Sequence, residues 1–136
     1  MLNSQGVEYI VVGAFALAFH SEPRFTGDID LLIHRTPDNA NRVVGALKVF
    51  SFASLGITSD DLLSEGNVIQ LGVRPNRIDL LNFLSGVDTE DVWRKRIAGD
   101  LDGVPVFYID LESFQKNKLA AGRDKDLEDL RRLGKK

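Results

Sequence analysis

Apolar positions along this chain switch between a period of two and a period near three and a half, and each switch marks an element. Residues 7–12 are mostly β-branched or aromatic and stop at Gly13, which predicts a strand. Residues 14–21 predict a short helix, broken at Ser21-Glu22-Pro23. Residues 24–27 predict a loop and 28–34 a strand. Thr36-Pro37-Asp38 is a helix start, with a hydroxyl cap, proline at the first position and an acid in the first turn. Ala40, Val43, Val44, Leu47 and Phe50 then recur at helical spacing, so one face of that helix packs on a sheet. Residues 51–66 are irregular by pattern, apart from a capped turn at 59–63. Residues 68–73 and 77–83 predict strands joined at Pro75-Asn76, an antiparallel hairpin. A helix starts at Thr89-Glu90-Asp91. Residues 97–101 and 104–108 flank Asp102-Gly103 as a second hairpin. Asp110 caps a helix carrying Leu111, Phe114, Lys118 and Leu119. Gly122 interrupts, and a last helix carries Leu127, Leu130 and Leu133. Helices mixed with antiparallel hairpins predict the α+β class, in a single domain over residues 1–136 with a helical C-terminal segment over 110–136.

The chain has 136 residues, 43% of them hydrophobic, which suffices for a core. It has no cysteine, which excludes a disulfide framework, a thiolate metal site and a cysteine nucleophile, and fits a cytoplasmic protein. No apolar run approaches the ~20 residues of a membrane span, and no signal peptide is visible, so no membrane partner is expected. Net charge is -3, but it is uneven. Residues 115–136 carry eight Lys or Arg against four Asp or Glu, and the remainder nine against sixteen. A basic C-terminal patch beside an acidic half could hold a polyphosphate or an RNA backbone, or could be a solvated helix.

Asp28 and Asp30 stand two apart in a predicted strand, so both point to one face, about 7 Å apart along the chain, while Ile29 and Leu31 point to the other. Two carboxylates on one face are a cradle for a hard divalent cation or an exposed acidic face. The strand before them ends at Gly13 and turns into a helix start, whose backbone N–H groups bind phosphate. Asp79 lies among Ile78, Leu80 and Leu81, and an acid there is costly unless it is paired or metal-bound. Arg77 or Arg74 could pair with it.

Phosphate turn, paired acids and a third acid, in that order, resemble the nucleotidyltransferase superfamily built on the DNA polymerase β-type palm. The run Arg24-Phe25-Thr26-Gly27-Asp28-Ile29-Asp30 resembles tRNA nucleotidyltransferases and the toxin-type relatives from abortive-infection systems. The second residue of the glycine turn is Ala14, where that family has Gly or Ser. The resemblance implies a central mixed or antiparallel sheet flanked by helices. It implies Mg²⁺, or Mn²⁺, on Asp28, Asp30 and Asp79. It implies nucleotide phosphates on Gly13, Ala14, Arg24 and Thr26. Relatives carry a full helix at the N-terminus, where residues 1–6 look like a helix tail ended by Gly6, so a naturally short or a truncated start is expected.

Lys118, Arg123, Lys125, Asp126 and Asp129 crowd a helix-to-helix junction. Basic residues at a helix N-terminus oppose the dipole, so either an anion binds there or Asp126 and Asp129 pair with them. The resemblance matches this stretch to a second block of the toxin-type relatives and implies that Lys118 and Arg123 face the phosphates.

The expected activity is transfer of a nucleoside monophosphate from an NTP to an acceptor hydroxyl. The acceptor is a tRNA or a protein, with a small molecule as a further possibility. A dimer partner or a partner protein would supply the rest of the acceptor surface. The alternative is an inactive binding subunit of a toxin–antitoxin-like or other two-component system, and a third reading is an RNA-binding module using the basic tail. His20 and His34 are the only histidines and lack metal-ligand spacing, which assigns them structural or surface roles. The nucleophile-elbow, P-loop and dinucleotide-binding motifs are all absent.

Overall fold

Six strands among the described residues form one mixed sheet in the order β3-β4-β2-β1-β6-β5. They are β1 (Tyr9–Val12), β2 (Ile29–Ile33), β3 (Val68–Leu71), β4 (Ile78–Leu81), β5 (Ile97–Leu101) and β6 (Val104–Tyr108). The structure is a computed structural model, and it describes residues 3–20, 29–49, 56–64, 66–71, 77–101 and 103–134. Arg24, Thr26, Asp28, Phe50, Asp102 and the Pro75-Asn76 turn lie outside the described residues.

The two sequence-predicted hairpins pair as antiparallel neighbours, β3 with β4 and β5 with β6. β1 and β2 are also antiparallel. Two parallel pairings, β2 with β4 and β1 with β6, join these ribbons into one sheet. Parallel neighbours need long crossovers, and the one between β2 and β4 passes through α2 (Pro37–Val49), α3 (Ser59–Leu63) and β3. The remaining helices are α1 (Gly13–His20), α4 (Thr89–Arg94), α5 (Leu111–Ala121) and α6 (Asp124–Gly134).

Local chemistry sets most of these boundaries. Thr36 Oγ1 accepts from the Asn39 backbone N–H at 3.2 Å, so α2 opens where the Thr-Pro-Asp signal places it. α3 is capped by Thr58 in a reciprocal box with Asp61. Asp88 caps α4 and Asp110 caps α5, and Gly122 closes α5 in the left-handed conformation at φ +64°. At the N-terminus, Asn3–Gln5 forms one tight turn, and Gly6 at φ +69° follows it.

The core gathers Ile10, Val11, Leu17, Leu32, Val43, Leu80, Ile109 and Phe114, all nearly inaccessible. α2 turns Ala40, Val43 and Leu47 inward as its spacing predicts. α6 departs from the simple leucine pattern. Leu133 is buried, but Leu127 is 37% exposed, and the inward positions are taken by Asp126 and Asp129. Those carboxylates are buried because α5 supplies a cation to meet them, as the site shows.

Candidate functional site

The register of the sheet brings the acids together. Asp30 on β2 is the cross-strand partner of Asp79 on β4, and of Val12 on β1. Asp79 is in turn the partner of Gln70 on β3. Side chains of cross-strand partners share a face, so Gln70, Asp79, Asp30 and Val12 form one row across four strands. Adjacent strands lie about 4.8 Å apart, which puts the two carboxylates within reach of a common ligand.

Gly13 follows Val12 directly and stands against Asp30. Its φ is +69°, and a Cβ added there would run into the Asp30 carboxylate. Both facts require glycine. Ala14 is the second residue of α1, so its backbone belongs to the first turn, where N–H groups lack intrahelical partners.

Asp79 is buried and meets Arg77 two residues before it. The Arg77 Nη2 donates to Asp79 Oδ2 at 3.2 Å, and Nε lies 3.0 Å from Oδ1. The pairing that the sequence allowed for an acid at this position is therefore present.

Across the cavity, α5 and α6 present the second block. Lys118 Nζ is buried, 3.2 Å from Asp126 Oδ1 and 3.3 Å from Asp129 Oδ2. The Arg123 Nε donates to Asp126 Oδ2 at 2.7 Å, and its backbone N–H donates to the same oxygen at 3.2 Å. Burial alone would push the Asp126 carboxyl up. Hydrogen bonds from Arg123 and then Lys118 outweigh it and hold the group below the usual aspartate range. The hydrogen bond to Asp126 raises the Arg123 pKa above the ordinary arginine value, against burial. The charges of Asp126, Asp129 and Asp30 act in the same direction. Arg123 thus sits within electrostatic reach of both constellations. Lys125 has no ion-pair partner among the described residues.

These groups open on one cavity of about 770 Å³, lined by Gly13, Asp30, Asp79, Lys118, Arg123 and Lys125 among others. That volume accommodates a nucleotide-sized ligand. No group of three His, Asp or Glu residues among the described residues is close enough to hold a metal ion. Asp28, the third acid of the predicted set, lies outside the described residues, as do Arg24 and Thr26. No described helix is long and apolar enough to cross a membrane.

The two histidines do other work. His20 Nε2 is 2.6 Å from the Ile109 carbonyl oxygen. His34 stacks on Trp93 and reaches Glu8 and Glu90 at 2.8 and 2.6 Å. The rim of the cavity was not singled out in the sequence. Asn82, Phe83, Ser85 and Asn117 belong to it or support it. The signal for Asn82 was available, since an amide sharing a strand face with Ile78 and Leu80 has to be buried and bonded.

The mixed six-stranded sheet with flanking helices is a nucleotidyltransferase-type fold. It is similar to the crystal structure of a "putative nucleotidyltransferase" from Thermotoga maritima, with a TM-score of 0.59 at 16% sequence identity, over 99% of this chain and 89% of that one. No protein-family model matches the chain, and no curated protein matches it.

Proposed function

We propose that this protein transfers a nucleoside monophosphate from an NTP to an acceptor hydroxyl on a tRNA or a protein, as a small toxin-type nucleotidyltransferase. The observation that carries the reading is the register pairing of Asp30 with Asp79 on the cavity face, beside the glycine turn. An all-carboxylate donor set suits a hard, oxygen-seeking cation, and two members of the set already face one space. Asp28, Asp30 and Asp79 would hold Mg²⁺ or Mn²⁺. When bound, such ions supply charge neutralisation for the phosphates and a more acidic acceptor hydroxyl.

The chain's own groups do the rest. Gly13 and Ala14 offer backbone N–H groups to phosphate oxygens. Arg24, Thr26, Lys118 and Arg123 would supply further contacts to the phosphates, and positioning supplies most of the rate in such a transfer. Asp79, the acid further from the glycine turn, takes the acceptor proton.

A second reading has its own observation. Lys118, Arg123 and Arg77 are all engaged by the chain's own aspartates. Cations already satisfied in this way suit a binding subunit of a two-component system that holds nucleotide without transfer. One experiment separates the two readings. Each α-labelled NTP is incubated with Mg²⁺ and total tRNA, a protein extract or the protein alone, with wild type beside Asp30→Asn. Label on one acceptor with wild type only establishes the enzyme. Nucleotide binding without label on any acceptor establishes the binding subunit.

A further inference from the structure

The acid row of the sheet has an apolar neighbour that the proposed chemistry does not use. Two residues further along each strand, Val68 on β3, Leu81 on β4, Leu32 on β2 and Ile10 on β1 form the next row on the same face. Leu32 and Ile10 are sealed in the core. Leu81 is only half-buried and Val68 is 54% exposed, and both line the cavity that holds Asp30 and Asp79. Phe83 extends this strip, 37% exposed and also on the cavity wall. Along the strand, Leu81 stands about 7 Å beyond Asp79, and Phe83 follows two residues after the strand ends.

The strip is held in place. Asn82 is buried, and its Oδ1 accepts the backbone N–H groups of Gly66 and Asn67, both at 3.0 Å. Its amide donates to the carbonyls of Leu62 and Ser64 at 2.9 and 2.6 Å. One fully bonded amide therefore ties the loop before β3 to the end of β4, next to Phe83 on the cavity wall. On the other side, Asn117 donates to the Ser85 carbonyl at 3.0 Å and holds α5 against the same rim. Along the sheet the cavity is thus graded: glycine turn at one end, carboxylates in the middle, and branched apolar side chains at the other, with the Phe83 ring also on its wall.

We propose that Phe83, with Leu81 and Val68, is the nucleobase subsite of the NTP, the base stacking on the Phe83 ring while the phosphates lie toward Gly13. This rests on the nucleotidyltransferase reading above. A nucleotide is the ligand whose own polarity follows that gradient, with an anionic chain at one end and a planar ring at the other. Stacking reads no hydrogen-bond pattern, so the subsite accepts more than one base.

The test measures equilibrium binding of ATP and of inorganic tripolyphosphate, each with Mg²⁺, to wild type, Phe83→Ala and Phe83→Trp. Phe83 is partly exposed, so both variants should fold. Wild type is expected to bind ATP more tightly than tripolyphosphate. Phe83→Ala should weaken ATP roughly 10-fold and leave tripolyphosphate unchanged, and Phe83→Trp should restore ATP. An equal loss for both ligands overturns the subsite while leaving the nucleotide reading intact. Unchanged ATP binding by Phe83→Ala also overturns it. If wild type binds neither ligand, the nucleotidyltransferase reading fails and the subsite with it.

Discussion

The guanidinium of Arg77 occupies both oxygens of Asp79, at 3.2 and 3.0 Å, inside the cavity where Asp79 is the register partner of Asp30. A cation already stands where the proposed metal would bind. Replacing Arg77 by Gln leaves a buried carboxylate without its counter-charge, which costs about 1–3 kcal/mol. The variant is therefore expected to melt several degrees lower than wild type. Mn²⁺ should recover more of that loss in the variant than it adds to wild type, because no guanidinium competes and ligand binding stabilises by mass action. Thermal denaturation with and without Mn²⁺ checks this. Equal Mn²⁺ shifts in the two proteins would remove Asp79 from the metal site.

Gly13 should be harder to replace than Gly122. Its φ is +69°, and a methyl group would collide with the Asp30 carboxylate. Gly122 offers a control. It has φ +64°, but a Cβ there meets nothing nearer than the Leu119 carbonyl at 3.6 Å. Gly122→Ala should cost only the left-handed backbone strain, about 1–2 kcal/mol. Gly13→Ala should cost more than that and displace Asp30 as well. Urea denaturation of both variants gives the two values, and a Gly13→Ala cost no larger than that of Gly122→Ala would show that the turn does not press on Asp30.

Each half of the candidate site was legible, and the way the halves meet was not. Alternation along residues 28–34 and 77–83 put Asp30 and Asp79 each on a defined face of its own strand. Nothing in that alternation says that β4 lies beside β2 and parallel to it, because the pairing is set by a crossover through α2, α3 and β3. The hairpins and the helix caps were visible because they depend on residues close in sequence. The inward face of α6 was only half visible. A leucine count selects Leu127, Leu130 and Leu133, yet Asp126 is fully buried and Leu127 is not. An aspartate is buried there only because Lys118 arrives from another helix, a fact of packing that hydropathy does not contain.

Asn39 shows the same dependence on long-range bonds. It is fully buried at the start of α2. Its Oδ1 accepts the Glu8 N–H at 2.7 Å, and its amide donates to the carbonyls of Glu8 and His34 at 2.8 and 2.7 Å. It therefore joins α2 to the entry of β1 and the exit of β2. Asn39→Asp would turn a carboxylate toward two carbonyl oxygens and is expected to cost about 3 kcal/mol or more. Asn39→Leu removes the group without adding a charge and should cost less. The order of the two melting temperatures checks this, and a reversed order would mean that the site tolerates a negative charge.

The ionic clamp between α5 and α6 should make stability fall in acid. Asp126 is fully buried and receives Lys118 and Arg123 together. Its pKa in the folded protein is lowered, whereas an unfolded aspartate titrates near 3.9, so the folded state favours the charged form. The stabilisation is fully present above that ordinary value and is lost as pH falls through the lowered folded value. Asp126→Asn leaves Lys118 buried with only Asp129 and is expected to lose about 3 kcal/mol at neutral pH. The difference in melting temperature between wild type and Asp126→Asn should stay constant from pH 7 to about pH 5 and narrow below about pH 4. A gap that persists unchanged to pH 2 would assign the cost to lost packing or hydrogen bonding instead of to the ionised carboxylate.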